Sequence, residues 1–219
     1  MSSAAERRER ILRRIARAAE VAKRDPAEIQ LIAVSKGRSE QEIGALIDAG
    51  QRDFGENRVQ EALGKWPALL AKHSDLRLHE IGRLQSNKAA DAVKLFDVIH
   101  SVDRSSLLDA LAKEAARAGR APPVYIQVNI GEEEQKGGCA IGEIGELIEA
   151  VRSSPLPLAG LMAIPPLGVE PAPYFALLAQ LARRHDATGL SIGMSGDFEA
   201  AVMLGATAVR VGTAMFEDE

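Results

Sequence analysis

Strand and helix patterns alternate eight times along this chain of 219 residues, which constrains its fold more than any other feature. Short apolar runs, typical of strands buried on both faces, are each followed by apolar residues at helical spacing. No linker rich in Pro, Gly or Ser divides the chain into halves. We therefore predict a single-domain (β/α)₈ TIM barrel of the α/β class over residues 1–219. The predicted strands are Leu31–Ser35, a short strand around Asp53 and Phe54, Leu76–Ile81, Val98–Ser101, Val124–Ile130, Leu158–Ala163, Ser191–Ile192 and Ala208–Val211.

An additional helix is expected before the first strand. Ile11, Ile15 and Ala19 recur at helical spacing within residues 1–25, so we predict a leading helix packed on the barrel. Its arginine-rich part, Arg7–Arg17, is interpreted as a solvated helix face, because acidic residues are mixed into it and the apolar core of a targeting signal is missing. The alternative fold is an open, doubly wound sheet, but no Gly-x-Gly-x-x-Gly turn follows the first strand.

The composition excludes several classes of function. A net charge of −4 and an aromatic content of 4% give neither the basic surface nor the stacking platforms of a nucleic-acid-binding protein. No apolar run approaches the roughly 20 residues that span a bilayer. Cys139 is the only cysteine, which excludes an intramolecular disulfide and is typical of a reducing compartment. We expect a cytoplasmic, monomeric protein without nucleic-acid, membrane or metal partners.

Lys36 directly follows the first predicted strand, in the segment LIAVSK (Leu31–Lys36). Barrels of this class carry their chemistry at the carboxyl ends of the strands. A lysine at the edge of an apolar core loses hydration, which favours the neutral amine, and a neutral amine can form a Schiff base with an aldehyde. On this segment alone, a lysine that merely extends into solvent is the simpler interpretation.

Two loops resemble phosphate-binding loops. GMSGD (Gly193–Asp197) follows the seventh predicted strand, RVGTA (Arg210–Ala214) spans the end of the eighth, and each opens a helix. Each offers unpaired backbone N–H groups, glycines that let an anion approach, and a hydroxyl from Ser195 or Thr213. The alternative is that both hydroxyls are helix caps. Two such loops on adjacent strands, next to a strand-end lysine, favour a phosphate site.

A lysine that can form an imine beside a phosphate site suggests pyridoxal 5′-phosphate (PLP), which carries both an aldehyde and a phosphate. Arg210 would then face the pyridine nitrogen and, being protonated itself, keep that nitrogen unprotonated. The alternative for Arg210 is an ion pair with a carboxylate such as Asp197 or Glu56. The two roles are compatible.

Six motifs carry a resemblance to a known family: LIAVSK, FGENRVQEA (Phe54–Ala62), HEIGRLQSNK (His79–Lys88), HSVDR (His100–Arg104), GLMAIPP (Gly160–Pro166) and GMSGDFEAAVMLGATAVRVGTAMF (Gly193–Phe216). In this order, and over nearly the whole chain, they resemble the pyridoxal phosphate homeostasis protein family. The resemblance implies a fold-type III barrel similar to the amino-terminal domain of alanine racemase, with PLP bound as an imine to Lys36.

The same resemblance implies the other cofactor-binding residues. Ser195, Gly212 and Thr213 would hold the phosphate, Arg210 would face the pyridine nitrogen, and Asn57 would lie near the ring. Asn57 is equally well placed to cap the helix that follows it.

Five further positions are open to more than one interpretation. His79 and His100 are interpreted as packed or hydrogen-bonded core residues, because nothing acidic is spaced from them as a metal site requires. Lys136 resembles a family position that can lie near the cofactor, or belongs to a mobile surface loop. Cys139 is either a small buried residue or a reactive thiol. Glu217 stands where the family usually has glycine, which leaves the path of the last turn open.

The function that the resemblance implies is cofactor handling without robust catalysis. Alanine racemase uses a tyrosine from a second domain as its second acid/base, and no such domain is expected after the eighth strand here. Tyr125 and Tyr174 are predicted away from the opposite face of the cofactor. The protein would keep free PLP low, supply it to apoenzymes and help maintain amino- and keto-acid balance. The alternatives are an amino-acid racemase or other weak PLP enzyme using water or Lys136, and an aldolase-type barrel enzyme acting on a sugar phosphate through Lys36.

Overall fold

The computed structural model describes residues 2–218 as a closed barrel of eight parallel strands. The strands pair in chain order, and the eighth pairs with the first. They are β1 (Gln30–Val34), β2 (Asp53–Glu56), β3 (Arg77–Glu80), β4 (Val98–Val102), β5 (Val124–Val128), β6 (Leu158–Ala163), β7 (Gly189–Ser191) and β8 (Ala208–Val211). The predicted (β/α)₈ barrel is confirmed.

Helices cover the outside of the barrel, and the main apolar core lies between them and the sheet. Helix α6 shows the pattern, since Ile144, Leu147, Ile148 and Val151 are buried at the spacing of one helix face. The helices are α1 (Ala4–Val21), α2 (Glu40–Asp48), α3 (Val59–Lys72), α4 (Ala89–Leu95), α5 (Ser105–Ala118), α6 (Ile144–Arg152), α7 (Ala172–Arg184), α8 (Phe198–Met203) and α9 (Thr213–Phe216).

The closure of the barrel determines which strand ends meet. In the register of β1 with β8, Ile32 lies opposite Arg210 and Ala33 lies opposite Val211. The residues that follow the two strands are therefore neighbours at the carboxyl end of the barrel. Lys36 and Gly212 come to the same edge, as the sequence predicts.

Helix α1 packs on the barrel against α8 and α9. Ile11, on its inner face, is fully buried. The interpretation of its arginines as a solvated face was wrong for two of them. Arg14 pairs with Glu199 on α8 at 2.9 Å, and Arg7 Nε donates to the Met215 carbonyl oxygen on α9 at 3.0 Å. These arginines help to fasten the leading helix to the barrel.

The β6 and β7 backbones approach closely where Gly160 pairs with Gly189. A Cβ at Gly160 would lie 2.0 Å from the Gly189 carbonyl oxygen, and Gly160 has a φ of +150°. We expect Gly160→Ala to lower the free energy of unfolding by about 2–3 kcal/mol through clash and backbone strain. Chemical denaturation measures this change. Gly64→Ala, within α3 and with open space around its Cβ, is the control and is expected to stabilise slightly.

Candidate functional site

Lys36 lies at the mouth of the barrel, two residues beyond the end of β1. The strand ends at Val34, and the Ser35 backbone N–H donates to the Gly55 carbonyl oxygen at 2.9 Å. Ser35 is buried, whereas Lys36 is exposed. Of the two interpretations of Lys36, its exposure fits a lysine that extends into solvent, because the chain has already left the strand when it reaches this residue.

The end of β1 is fixed from the side of α3 by a buried ion pair. Lys65 Nζ lies 2.7 Å from Glu56 Oε1 and donates to the Ser35 carbonyl oxygen at 3.0 Å. The same Glu56 oxygen accepts from the Ser35 hydroxyl at 2.7 Å and from Trp66 Nε1 at 2.9 Å. Lys65 was not among the predicted site residues. The only signal was its position four residues after a glutamate on a predicted helix.

That glutamate, Glu61, holds the residue on the other side of Lys36. Its Oε1 accepts from the Gly37 backbone N–H at 2.6 Å and lies 3.3 Å from Lys65 Nζ. Burial alone would raise the pKa of Glu61, but the Gly37 hydrogen bond and the Lys65 ammonium together lower it. Glu61 is therefore a charged anchor, and the backbone carrying Lys36 is fastened to α3 on both sides.

The ends of β7 and β8 complete a cleft of about 310 Å³ beside Lys36. We call it the Lys36 cleft. Among its lining residues are Lys36, Ser195, Arg210, Gly212 and Thr213. The structure thus brings together five of the six residues predicted to bind the cofactor, and their individual roles stay predictions.

Residues with unpaired backbone N–H groups line the Lys36 cleft. The backbone N–H groups of Ser195, Gly196, Gly212 and Thr213 have no protein acceptor within the described residues 2–218. The residues that cap α8 and α9 are Asp197 and Gly212, so the interpretation of the Ser195 and Thr213 hydroxyls as caps was wrong. Backbone N–H groups and hydroxyls arranged in this way can receive an anion such as a phosphate.

The loop between β7 and α8 is held in one conformation. Gly193 has a φ of +93°, and a Cβ there would lie 2.6 Å from the Ala201 Cβ, so glycine is required. Asp197 Oδ1 accepts from the Met194 backbone N–H at 2.6 Å. The donors of this loop are therefore positioned before any ligand arrives.

Arg210 is buried in the barrel interior at the floor of the Lys36 cleft. Its guanidinium donates to the Ser191 carbonyl oxygen at 2.6 Å, to the Ser191 hydroxyl, and to the Ala163 carbonyl oxygen at 3.1 Å. Burial lowers the pKa of Arg210 to about 10, and Asp197 opposes this shift, so the group stays protonated at neutral pH. The alternative ion pair with Asp197 or Glu56 is not formed among the described residues.

A chain of polar side chains continues from Ser191 through the barrel. Its hydroxyl lies 2.9 Å from His100 Nδ1, His100 Nε2 lies 2.9 Å from His79 Nδ1, and His79 Nε2 lies 3.1 Å from Asp53 Oδ1. Burial lowers the pKa of both histidines, which keeps them neutral at neutral pH. Their interpretation as hydrogen-bonded core residues is confirmed.

Comparison with known proteins identifies the family. The family model described as alanine racemase, N-terminal domain, matches residues 7–219. The pyridoxal phosphate homeostasis protein of Pseudomonas aeruginosa is 43% identical over 226 residues, covering 99% of this chain and 96% of that protein. Its counterpart from Aquifex aeolicus is 41% identical and covers 98% of this chain and 97% of its own. The chain belongs to the pyridoxal phosphate homeostasis protein family.

A solved structure of a relative contains a bound ligand. PipY of Synechococcus elongatus PCC7942, determined with PLP bound, is 40% identical, with a TM-score of 0.81. The match covers 92% of this chain and 99% of PipY. Alanine racemase of Clostridium difficile, at 15% identity and a TM-score of 0.68, shares the fold alone and matches over 56% of its own length.

Three positions left open by the sequence are resolved in this family member. Lys136 pairs with Glu133 at 2.6 Å and donates to the Pro165 carbonyl oxygen at 3.2 Å, outside the Lys36 cleft. Burial raises the pKa of Cys139 to about 12, so it is an inert thiol. The last turn, α9, ends before Glu217, whose carboxylate pairs with Arg38 of the Lys36 cleft.

Asn57, the sixth predicted residue, lines a second cleft. This cleft of about 660 Å³ lies at the carboxyl ends of β2, β3 and β4 and includes Arg83, so we call it the Arg83 cleft. Arg58, not Asn57, caps α3, so the alternative of Asn57 as a cap was wrong. Asn57 Oδ1 is buried and has no hydrogen-bond partner in the described part of the chain.

Glu80, also in the Arg83 cleft, is a buried carboxyl group. It accepts from the Ser101 hydroxyl at 2.6 Å and the Gly82 backbone N–H at 3.1 Å. Burial raises its pKa from 4.5 to about 8, against both hydrogen bonds. Between pH 4.5 and about 8, Glu80 is therefore protonated in the folded state and ionised in the unfolded state. Its contribution to stability falls as the pH rises through that range.

We expect Glu80→Gln to remove this dependence. Its free energy of unfolding should rise relative to that of the parent between pH 4.5 and about 8, by at most about 1.4 kcal/mol per pH unit. Urea denaturation at several pH values measures the difference. Glu134→Gln, at an exposed loop position, reports the general effect of removing one carboxylate. Parallel stability curves for Glu80→Gln and the parent would contradict the burial argument.

No helix within residues 2–218 combines the length and the apolar character needed to cross a membrane.

Proposed function

We propose that this protein binds PLP covalently through Lys36 and holds it for supply to PLP-dependent apoenzymes. One observation carries the proposal: an exposed strand-end lysine lines the same cleft as a set of unpaired N–H groups that can bind a phosphate. PLP supplies an aldehyde that condenses with a primary amine. The family to which the chain belongs, and the PLP in the PipY structure, support this choice of ligand.

Each of the predicted cofactor-binding residues has a role in this proposal. The N–H groups of Gly212 and Thr213, with the Ser195 hydroxyl, bind the phosphate oxygens. Arg210, fixed by Ser191 and protonated, is directed at the ring nitrogen and leaves that nitrogen unprotonated. The unpaired Asn57 oxygen lies one strand further along the barrel and stays our candidate for a contact near the ring.

The positions of the two tyrosines support a carrier rather than a racemase. Tyr125 is buried inside the barrel and stacks on His100, with 4.4 Å between ring centroids. Tyr174 lies in the first turn of α7. Neither side chain lines the Lys36 cleft, so neither is placed to exchange a proton on the face opposite Lys36.

The phosphate cradle is tested by comparing PLP with pyridoxal, which lacks the phosphate. We expect a Ser195→Ala/Thr213→Val double variant to bind PLP about tenfold or more weakly than the parent, because charge-assisted hydrogen bonds are lost. Its affinity for pyridoxal should not change. Spectrophotometric titration measures both affinities. Ser106→Ala/Thr188→Val, at exposed positions on other faces, is the matched control. Equal weakening for both ligands would contradict the cradle.

Supply to apoenzymes is tested with a trap for free PLP. The PLP-loaded protein is mixed with a PLP-dependent apoenzyme in the presence of an enzyme that consumes free PLP. We expect reactivation of the apoenzyme to survive the trap, because the cofactor passes within an encounter complex. Complete loss of reactivation would reduce the proposed role to storage and release.

A further inference from the structure

The Arg83 cleft has a charge pattern of its own. Among its lining residues are Arg58, Arg83, Lys88 and Arg104. Arg104 is engaged, since it pairs with Asp103 and donates to the Leu84 carbonyl oxygen. These cations gather in one concavity of a protein whose net charge is −4.

Three of the four cations are free. Across residues 2–218, the side chains of Arg58, Arg83 and Lys88 form no hydrogen bond or ion pair, and Arg58 acts on Glu61 only through a longer-range attraction. Glu80, the acidic residue that lines the cleft, is 1% exposed and is occupied by Ser101 and Gly82. The positive charge in the cleft is therefore not balanced by the protein itself.

The walls of the Arg83 cleft are preformed. A Cβ at Gly82 would lie 2.1 Å from the Asn57 carbonyl oxygen, so the loop after β3 rests directly on the loop after β2. Arg104 Nη2 spans the loop after β3 by binding the Leu84 carbonyl oxygen at 3.2 Å and the Ser86 hydroxyl at 3.3 Å. The loop backbone therefore needs little ordering when a ligand binds, and the side chains that still have to be ordered are those of the free cations.

Apart from Asn57, the residues of the Arg83 cleft have no role in the proposed PLP site. GENRVQ, GRLQSNK and the DR of HSVDR provide all four cations of the Arg83 cleft. The Lys36 cleft is built from different strands, β1, β7 and β8. The two clefts therefore lie at the same end of the barrel but on different strands.

We propose that the Arg83 cleft binds a small metabolite carrying at least two anionic groups, phosphate or carboxylate. Three separate cations can pair with several anionic groups at once, whereas a monoanion would leave most of them unpaired. The volume of about 660 Å³ falls within the range of small-molecule sites and favours such a ligand over the flat face of an acidic protein. The buried Asn57 oxygen adds a position for a hydroxyl or amine of the ligand. The inference goes beyond the proposed PLP function, because the site needs neither Lys36 nor the phosphate loops.

The proposal is tested by calorimetric titration of the full chain at constant ionic strength, with pyrophosphate as the phosphate probe and citrate as the carboxylate probe. We expect saturable one-to-one binding of at least one probe, and the stronger one identifies the anionic group. Arg83→Ala/Lys88→Ala should weaken it at least about tenfold, since two charge-assisted contacts are lost. Arg58→Ala, on the other loop, should weaken it independently. Ser195→Ala/Thr213→Val, which removes the hydroxyls proposed to hold the PLP phosphate, should leave it unchanged, which separates this site from the PLP site.

The control double variant is Arg184→Ala/Lys113→Ala, which removes one arginine and one lysine from exposed positions outside both clefts. It should bind the probe as the parent does. The proposal is overturned if neither probe saturates, if the control weakens binding as much as the cleft variant does, or if Ser195→Ala/Thr213→Val weakens binding as much as the cleft variant does. Saturation by a hexaglutamate peptide alone would overturn it in favour of an acidic protein segment.

Discussion

Lys36→Ala is expected to abolish retention of PLP by the purified protein. The parent, mixed with PLP and desalted, should keep a visible absorption band that free PLP does not leave behind. The variant retains the phosphate cradle and Arg210 but lacks the amine, so its PLP should be lost in the same step. We expect binding to weaken at least about tenfold, or about 1.4 kcal/mol, when measured at equilibrium.

The matched control for this prediction is Lys113→Ala on the exposed surface of α5, which should retain the band. Far-ultraviolet circular dichroism establishes that both variants are folded. A band of parental intensity in Lys36→Ala would contradict the assignment of Lys36, and would direct attention to another lysine. No band in the parent itself would remove the cofactor proposal and favour a barrel enzyme acting on a sugar phosphate.

Lys65→Met is expected to have the largest effect on stability. Lys65 lies 2.7 Å from Glu56, whose side chain is fully buried and whose second oxygen, Oε2, has no hydrogen-bond partner among the described residues. Without the ammonium, the carboxylate is left uncompensated in the interior. Breaking a buried ion pair in this way costs about 3–5 kcal/mol. Denaturant titration measures the loss.

Two further variants separate charge from packing in this prediction. Glu56→Gln in the Lys65→Met background removes the buried charge and should recover part of the lost stability. Lys72→Met, at the exposed end of α3, should change the free energy of unfolding little. If Lys65→Met is as stable as Lys72→Met, the ion pair does not hold the end of β1.

Because Lys65 also binds the Ser35 carbonyl oxygen, we expect PLP to dissociate faster from the Lys65→Met variant.

The fold could be predicted from the sequence wherever a strand is buried on both faces. Ala208–Val211 was predicted as it is observed, because four apolar or inward-facing residues lie between two turn signals. The seventh strand was predicted as Ser191–Ile192 and is Gly189–Ser191. Gly189, at the start of this strand, has no apolar side chain that would mark it as a strand residue. It lies in the strand because the β6 and β7 backbones approach closely at Gly160, and this contact exists only in the folded barrel.

Site residues could be predicted where they lie at or directly after the end of a single strand. Lys36, Arg210 and the two glycine loops follow from position along single strands, and the closure of β1 on β8 brings them together. The hydrogen bond from α3 to the end of β1 could not be predicted, because Lys65 and Ser35 are 30 positions apart in the sequence. Asn57 was predicted from its motif, yet the sequence did not show that its cleft differs from that of Lys36.

The central claim is tested most directly by locating the bond between PLP and the protein. The PLP-loaded chain is reduced with borohydride, digested, and mapped by mass spectrometry. We predict one label per chain, on the peptide containing Lys36, and no label in Lys36→Ala. A label spread over several exposed lysines, or concentrated at Lys136, would contradict it.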